Sequence, residues 1–235
     1  MTNQEDFIST VSHELRTPLT SIRGFAQTML TSWDKLDDEN KKKFLTIIEQ
    51  QSNRLINLVE NILSVTKLPK ESVILKNIDV NTSIMPVIQI IKQQYQTHKI
   101  ITKFDETNPK ISVDLEKFQQ IMINILENAA KYSDENSEIT LITQHSKCEV
   151  SIKIQNEGSG ISEEFREKIF EKFSRIDNPL TRKIQGSGLG LFITKTLVEK
   201  MNGSIDFQNI PNGVEFEIKF PTYNIEDHIK CSVTQ

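Results

Sequence analysis

Cysteine, tryptophan and long apolar runs are all scarce in these 235 residues. The two cysteines, Cys148 and Cys231, stand far apart and share no CxxC or Cys/His spacing. That argues against a structural zinc site and reads as two bystander thiols of a reducing compartment. No stretch approaches the roughly 18 apolar residues of a membrane span. The N-terminus lacks the basic and apolar regions of a signal peptide. The expectation is a cytoplasmic chain without a membrane segment of its own, with any tether carried by a longer parent protein. A formal net charge of −4 offers no basic surface for a polyanion, so nucleic acid is not an expected partner.

The chain has two parts of different periodicity. Residues 4–67 hold one glycine, Gly24, one proline, Pro18, and apolar residues at helical spacing, which predicts a helical hairpin. The turn is expected over 32–38, with Asp37 or Asp38 capping the second helix and Glu39 near its N-terminus. In that helix Phe44, Ile48, Gln51, Leu55, Leu58, Ile62 and Val65 form a heptad seam. Two hairpins packed as a dimeric four-helix bundle would bury it, which points to a homodimer; a partner within the chain would serve as well. Pro69 ends the helix, giving a first domain of residues 1–69.

From residue 70 the pattern mixes strands and helices. Alternating or β-branched runs at 72–80, 100–104, 138–143, 149–155, 204–208 and 214–220 predict strands; 82–96, 115–131, 162–168 and 189–201 predict helices. Without a strict βαβ rhythm, this suggests an α/β sandwich with helices on one face of one sheet, an α+β fold overall. The second domain spans 70–223, and 224–235 forms a polar tail.

Within the hairpin, "SHELRTPLT" (12–20) places a proline inside a helical pattern. Pro18 cannot donate to the Glu14 carbonyl and its ring clashes there, at a cost of about 3 kcal/mol and usually with a bend. His13 lies just before that point, Thr17 one turn beyond it on the same face, and Glu14 beside it. An ordinary surface histidine gives the same letters when taken alone.

Three further segments shift the balance. In "DLEKFQQIMINILENAAKYS" (114–133), Asn124, Asn128 and Lys131 form a polar stripe on an otherwise apolar helix. Buried asparagines need partners; a hard Mg²⁺ completed by phosphate oxygens and water is one, and a core hydrogen bond is another. "NEGSGI" (156–161) and "GSGLGL" (186–191) bring glycines that let backbone approach a ligand, and the second opens a helix whose amides can receive a phosphate. The polar, breaker-containing segment between them reads as a mobile lid.

Together these motifs resemble sensor histidine kinases over nearly the whole chain. "SHELRTPLT" looks like their H-box, "NILENAAKY" their N-box, "NEGSGI" and "GSGLGL" their two glycine boxes and "IFEKF" their phenylalanine box, in matching order. The resemblance implies a phosphoacceptor hairpin followed by a Bergerat-type ATP-binding domain, the fold shared with gyrase, Hsp90 and MutL. The absence of a GxxxxGK[ST] run agrees with that nucleotide fold. By the same resemblance, His13 takes the γ-phosphoryl of ATP, Glu14 handles the proton on the other ring nitrogen, and Thr17 orients the water that dephosphorylates a regulator. Asn128 holds Mg²⁺ with Asn124 beside it, Lys131 and Arg182 offset phosphate charge, and Tyr132 lies near the nucleotide. Gly158, Gly160, Gly186, Gly188 and Gly190 line the pocket and lid hinge, and phosphohistidine donates to an aspartate in the receiver domain of a response regulator.

The sequence departs from the family pattern twice. Asn156 stands where the first glycine box begins with an Asp that accepts the adenine amino proton, and Gly213 is followed by Val214 rather than Thr. Neither change removes a phosphate or Mg²⁺ contact. A non-catalytic scaffold and a stand-alone ATPase are the competing readings, and His13 argues against both.

Overall fold

The computed structural model describes residues 2–166, 168–174 and 187–223. It divides into two units, Met1–Lys67 and Leu68–Gln235. The expectations for Arg182, Gly186, Cys231 and the 224–235 tail lie outside the described residues.

The first unit is the expected hairpin, helix α1 (Thr2–Ser32) and helix α2 (Asp38–Lys67). A 3-10 turn, Trp33–Lys35, connects them. Asp37 caps α2: its carboxylate accepts from Asn40 N at 2.7 Å, satisfying one of the amides that every helix start leaves open. Helix α1 continues through Pro18, which is buried. The heptad seam of α2 is half-buried or buried within the single chain, and Phe44 packs on Phe25 of α1 with ring centroids 5.1 Å apart. The seam therefore finds cover in the chain itself. A different row stays open, with Leu45, Ile56, Val59 and Leu63 between 42% and 54% exposed.

The second unit is the α/β sandwich. Its five-stranded sheet runs β2–β4–β5–β7–β6, from β2 (Lys99–Lys103), β4 (Glu138–His145), β5 (Glu149–Glu157), β6 (Ser204–Ile210) and β7 (Gly213–Pro221). β2 is parallel to β4 and the other pairings are antiparallel. Helices α3 (Val80–Gln94), α4 (Leu115–Tyr132) and α5 (Gly190–Lys200) supply the second layer. Alternation explains the sheet's two faces: Val150, Ile152 and Ile154 of β5 are buried beneath the helices' apolar residues, whereas Ser151, Lys153 and Gln155 form a polar ladder with Glu215 and Glu217 of β7. α4 is the core helix, with Phe118, Ile121, Met122, Ile125, Leu126, Ala129 and Ala130 buried. Each large side chain among them contributes about 1.5–3 kcal/mol.

Two sequence expectations fail locally. A short strand, β3 (Lys110–Val113), pairs with β1 (Lys76–Asp79) and bridges Ile111 to Thr222; four residues between Pro109 and the Asp114 cap carry too little alternation to be read. Residues 162–168 do not form an α-helix. Two 3-10 turns, Glu163–Phe165 and Lys168–Phe170, take their place, and Arg166 is drawn onto Asp206 and the Phe207 carbonyl of β6. Cys148, in the turn between β4 and β5, is disulfide-bonded and so is no bystander thiol. No helix among the described residues is long and apolar enough to cross a membrane.

Candidate active site

The polar stripe of α4 starts from a well-held helix. Asp114 accepts from Glu116 N at 3.1 Å and Lys117 N at 3.3 Å, and also from Ile74 N at 3.0 Å. Burial raises the Asp114 pKa, but those three amides and the Lys117 charge prevail, so the carboxyl lies below its usual value.

Along the stripe, the three polar residues have different surroundings. Asn124 Nδ2 donates to Thr194 Oγ1 of α5 at 2.6 Å, and Gly190, the first residue of α5, lies so close to Asn124 Oδ1 that any Cβ there would collide. Asn128, one turn on, is half-buried. Lys131 Nζ pairs with Glu127 Oε2 at 2.6 Å, and the Glu127 charge adds to burial in pushing the Tyr95 phenol well above its ordinary pKa. Tyr132 closes the helix with its side chain largely exposed.

Backbone closes in around the C-terminal end of α4. Asn156 of β5 is buried at 5% exposure, and its Nδ2 makes a long contact, 3.4 Å, to the Glu157 carbonyl. Gly158 N donates to Asn212 O at 3.0 Å, and a Cβ on Gly158 would stand 2.6 Å from the Tyr132 carbonyl. Only glycine fits there. Gly160 adopts φ +74°, in the left-handed region. The next residue is held at both ends by one side chain: Ile161 N donates to Asn209 Oδ1 at 2.9 Å, and Asn209 Nδ2 donates to Ile161 O at 2.7 Å. Gly188, at φ +66°, presses on the backbone of Phe173 and Ser174, so the second glycine run is seated on the phenylalanine-box segment.

A magnesium nucleotide fits these residues. α5 begins without a side-chain cap, leaving its first amides for an anion. Asn128 offers a neutral oxygen of the hard type Mg²⁺ accepts, and Lys131 a cation for phosphate. Among the described residues no group of three or more His, Cys, Asp or Glu forms a metal cluster.

In the helical unit His13 is exposed on α1. Glu14 Oε2 is held by Arg54 Nη2 of α2 at 3.3 Å, both side chains 22% exposed. Thr17 Oγ1 donates to the His13 carbonyl at 3.3 Å, an intrahelical bond that fixes its rotamer. The structure thus brings Glu14 and Thr17 to His13's turn, and Asn124, Asn128, Lys131 and Tyr132 to one helix bordered by Asn156, Gly158 and Gly190, while Gly160 lies against Asn209 and Gly188 against Phe173 and Ser174. Sequence reasoning passed over Arg54, Glu127, Thr194 and Asn209. Only Glu127 carried a readable signal, its i, i+4 spacing to Lys131.

A phosphoacceptor-type hairpin joined to this sandwich defines a class, and the chain belongs to it: it carries the two domains of the catalytic core of the sensor histidine kinase family. Residues 3–71 match the His Kinase A (phospho-acceptor) domain, and residues 113–224 match the histidine kinase-, DNA gyrase B-, and HSP90-like ATPase family. Sensor protein SrrB of Staphylococcus aureus (strain NCTC 8325 / PS 47) is 31% identical over 227 residues, covering 93% of this chain and 38% of that protein. The chain therefore spans well under half the length of the curated relatives it matches. Histidine kinase ThkA, solved in complex with response regulator protein TrrA, is 28% identical with a TM-score of 0.76, over 92% of this chain and 61% of that one. Acinetobacter baumannii histidine kinase AdeS, 23% identical over 90% of this chain and 98% of that one, shares the fold at a TM-score of 0.70.

Proposed function

We propose that this chain phosphorylates its own His13 with ATP and passes the phosphoryl group to an aspartate in a response-regulator receiver domain. The observation that carries the reading is His13 itself, an exposed imidazole beside a carboxylate that Arg54 holds in place. Residues 1–69 serve dimerisation and phosphotransfer, residues 70–223 bind ATP, and 224–235 is a tail.

An unprotonated ring nitrogen of His13 attacks the γ-phosphorus. A nitrogen–phosphorus bond forms, the bond to the bridging oxygen breaks, and its electron pair leaves on ADP. Glu14, anchored through Oε2, takes or orients the proton on the other nitrogen. In the nucleotide unit Lys131 exchanges Glu127 for phosphate, with Arg182 as a second cation. The amides opening α5, freed of side chains by Gly186, Gly188 and Gly190, receive phosphate oxygens. Tyr132, Gly158 and Gly160 border the base, and Asn156 accepts the adenine amino proton. Asn128 would hold Mg²⁺, which when bound neutralises triphosphate charge. Positioning and electrostatics supply most of the catalysis.

The same hairpin supports two further roles. Thr17 orients the water for regulator dephosphorylation, and a bend at Pro18 lets His13 serve nucleotide and regulator in turn. A second copy covers the exposed row of α2 together with Ile8, Leu19 and Leu30 of α1, which recur every 11 residues, about three helical turns. We place this chain on the cytoplasmic side of a longer, tethered parent, and the 38% coverage of SrrB supports the longer parent.

Incubation with γ-labelled ATP and Mg²⁺ tests the reading. An acid-labile, base-stable label on the chain supports it; ATP hydrolysis without label points to an ATPase, and nucleotide binding without either points to a scaffold.

A further inference from the structure

We infer that Asn124 and Thr194 form a strut that positions the Asn128 turn of α4 against the opening turn of α5, so that Asn124 acts through Thr194 rather than on the nucleotide. The inference rests on reading the site as a magnesium-nucleotide pocket.

The hydrogen bond from Asn124 Nδ2 to Thr194 Oγ1 is 2.6 Å long, and Thr194 is 1% exposed. Each partner sits one turn from a proposed ligand-binding group. Asn124 lies four residues before Asn128, and Thr194 four residues after Gly190. The bond thus ties the metal-binding turn to the phosphate-binding turn. Gly190 closes the arrangement from the other side, since a Cβ there would strike Asn124 Oδ1 and drive the amide off Thr194. Thr196 in the same helix spends its hydroxyl on the Phe192 carbonyl, the usual choice for a helical threonine. Thr194 takes a bond across helices.

An Asn with its donor committed to a buried hydroxyl and its acceptor facing a glycine backbone is poorly placed to contact ligand. The two readings of Asn124 predict different variants. As a direct ligand, it should be needed while Thr194 is not. As half of a strut, it should be no more important than its partner.

Calorimetric titration of ADP with Mg²⁺ into the full chain, well below each variant's unfolding midpoint, separates them. Thr194→Val should weaken binding about ten-fold, the upper end of what one net hydrogen bond is worth. Thr194→Ser, which keeps the hydroxyl, should bind within about two-fold of the parent, a rescue that loss of packing would not give. Asn124→Ala and the Asn124→Ala, Thr194→Val double variant should match Thr194→Val, because all three remove the same bond. Gly190→Ala breaks the bond by collision and serves if Thr194→Val does not fold; adding Asn124→Ala to it should restore binding to the Asn124→Ala value. Unchanged ADP affinity in Thr194→Val, additive losses in the double variant, or no relief of Gly190→Ala overturns the strut alone. A parent chain that takes up no ADP overturns the pocket, and the strut with it.

Discussion

Replacing the Asn156 amide by a carboxylate, Asn156→Asp, sets two terms of the same site against each other. A bond from the adenine amino group to a neutral acceptor nets about 0.5–1.5 kcal/mol, and to a charged one about 1.5–3 kcal/mol. The variant should therefore gain about 1 kcal/mol, roughly five-fold in ADP affinity. The opposing term is visible in the fold. Asn156 is buried, its Nδ2 donates to the Glu157 carbonyl at 3.4 Å, and the Gly213 backbone presses on its own carbonyl. A second carboxylate oxygen would face the Glu157 carbonyl, where an amide nitrogen now sits, and an unpaired buried acceptor costs about 1–3 kcal/mol. Since the present bond is long, little is lost by breaking it, and the nucleotide offsets part of the burial cost only when bound. The variant should thus unfold at a lower temperature yet bind ADP about five-fold more tightly. Calorimetry with ADP and GDP on both proteins reads the balance. Unchanged or weaker ADP binding would refute the reasoning, and equal affinity for GDP would show that Asn156 does not read adenine.

Other consequences are open to test. Thr17→Ala should keep autophosphorylation and lose regulator dephosphorylation, because the bond it gives up is an exposed intrahelical one; equal loss of both would assign Thr17 to helix structure. Val59→Glu places a charge in the exposed apolar row of α2 and should convert a dimer to a monomer in sedimentation, whereas an intact dimer would remove that row from the interface. Asp114→Ala should destabilise the chain by about 1 kcal/mol through the lost cap. The Asp114 pKa is depressed in the folded state, so the gap between parent and variant should be complete above an unfolded value of about 3.9 and close as pH falls through the lower folded value. A gap that persists at low pH would assign the effect to something other than the charge.

What could be read ahead of the structure was local. α4 announced itself by the apolar period and the polar stripe, and it runs Leu115–Tyr132 against an expected 115–131. The hairpin was equally plain, because one glycine and one proline in its length leave little else to form. What stayed hidden depends on register between distant segments. β3 exists because β1 and Thr222 meet it. The Phe44 to Val65 seam read as a dimer face, but hydrophobic period alone does not say which neighbour covers a stripe. Arg54 lies 40 residues from Glu14 and Thr194 lies 70 from Asn124, so each site residue was legible without the partner that holds it.

In the proposed function His13 is the acceptor and the nucleotide pocket is built without it. Parent chain and His13→Gln, each incubated with γ-labelled ATP and Mg²⁺ and titrated in parallel with ADP, measure both halves at once. Label is expected on the parent and none on His13→Gln, with the same ADP affinity in the two. Label retained on His13→Gln would contradict His13 as the acceptor.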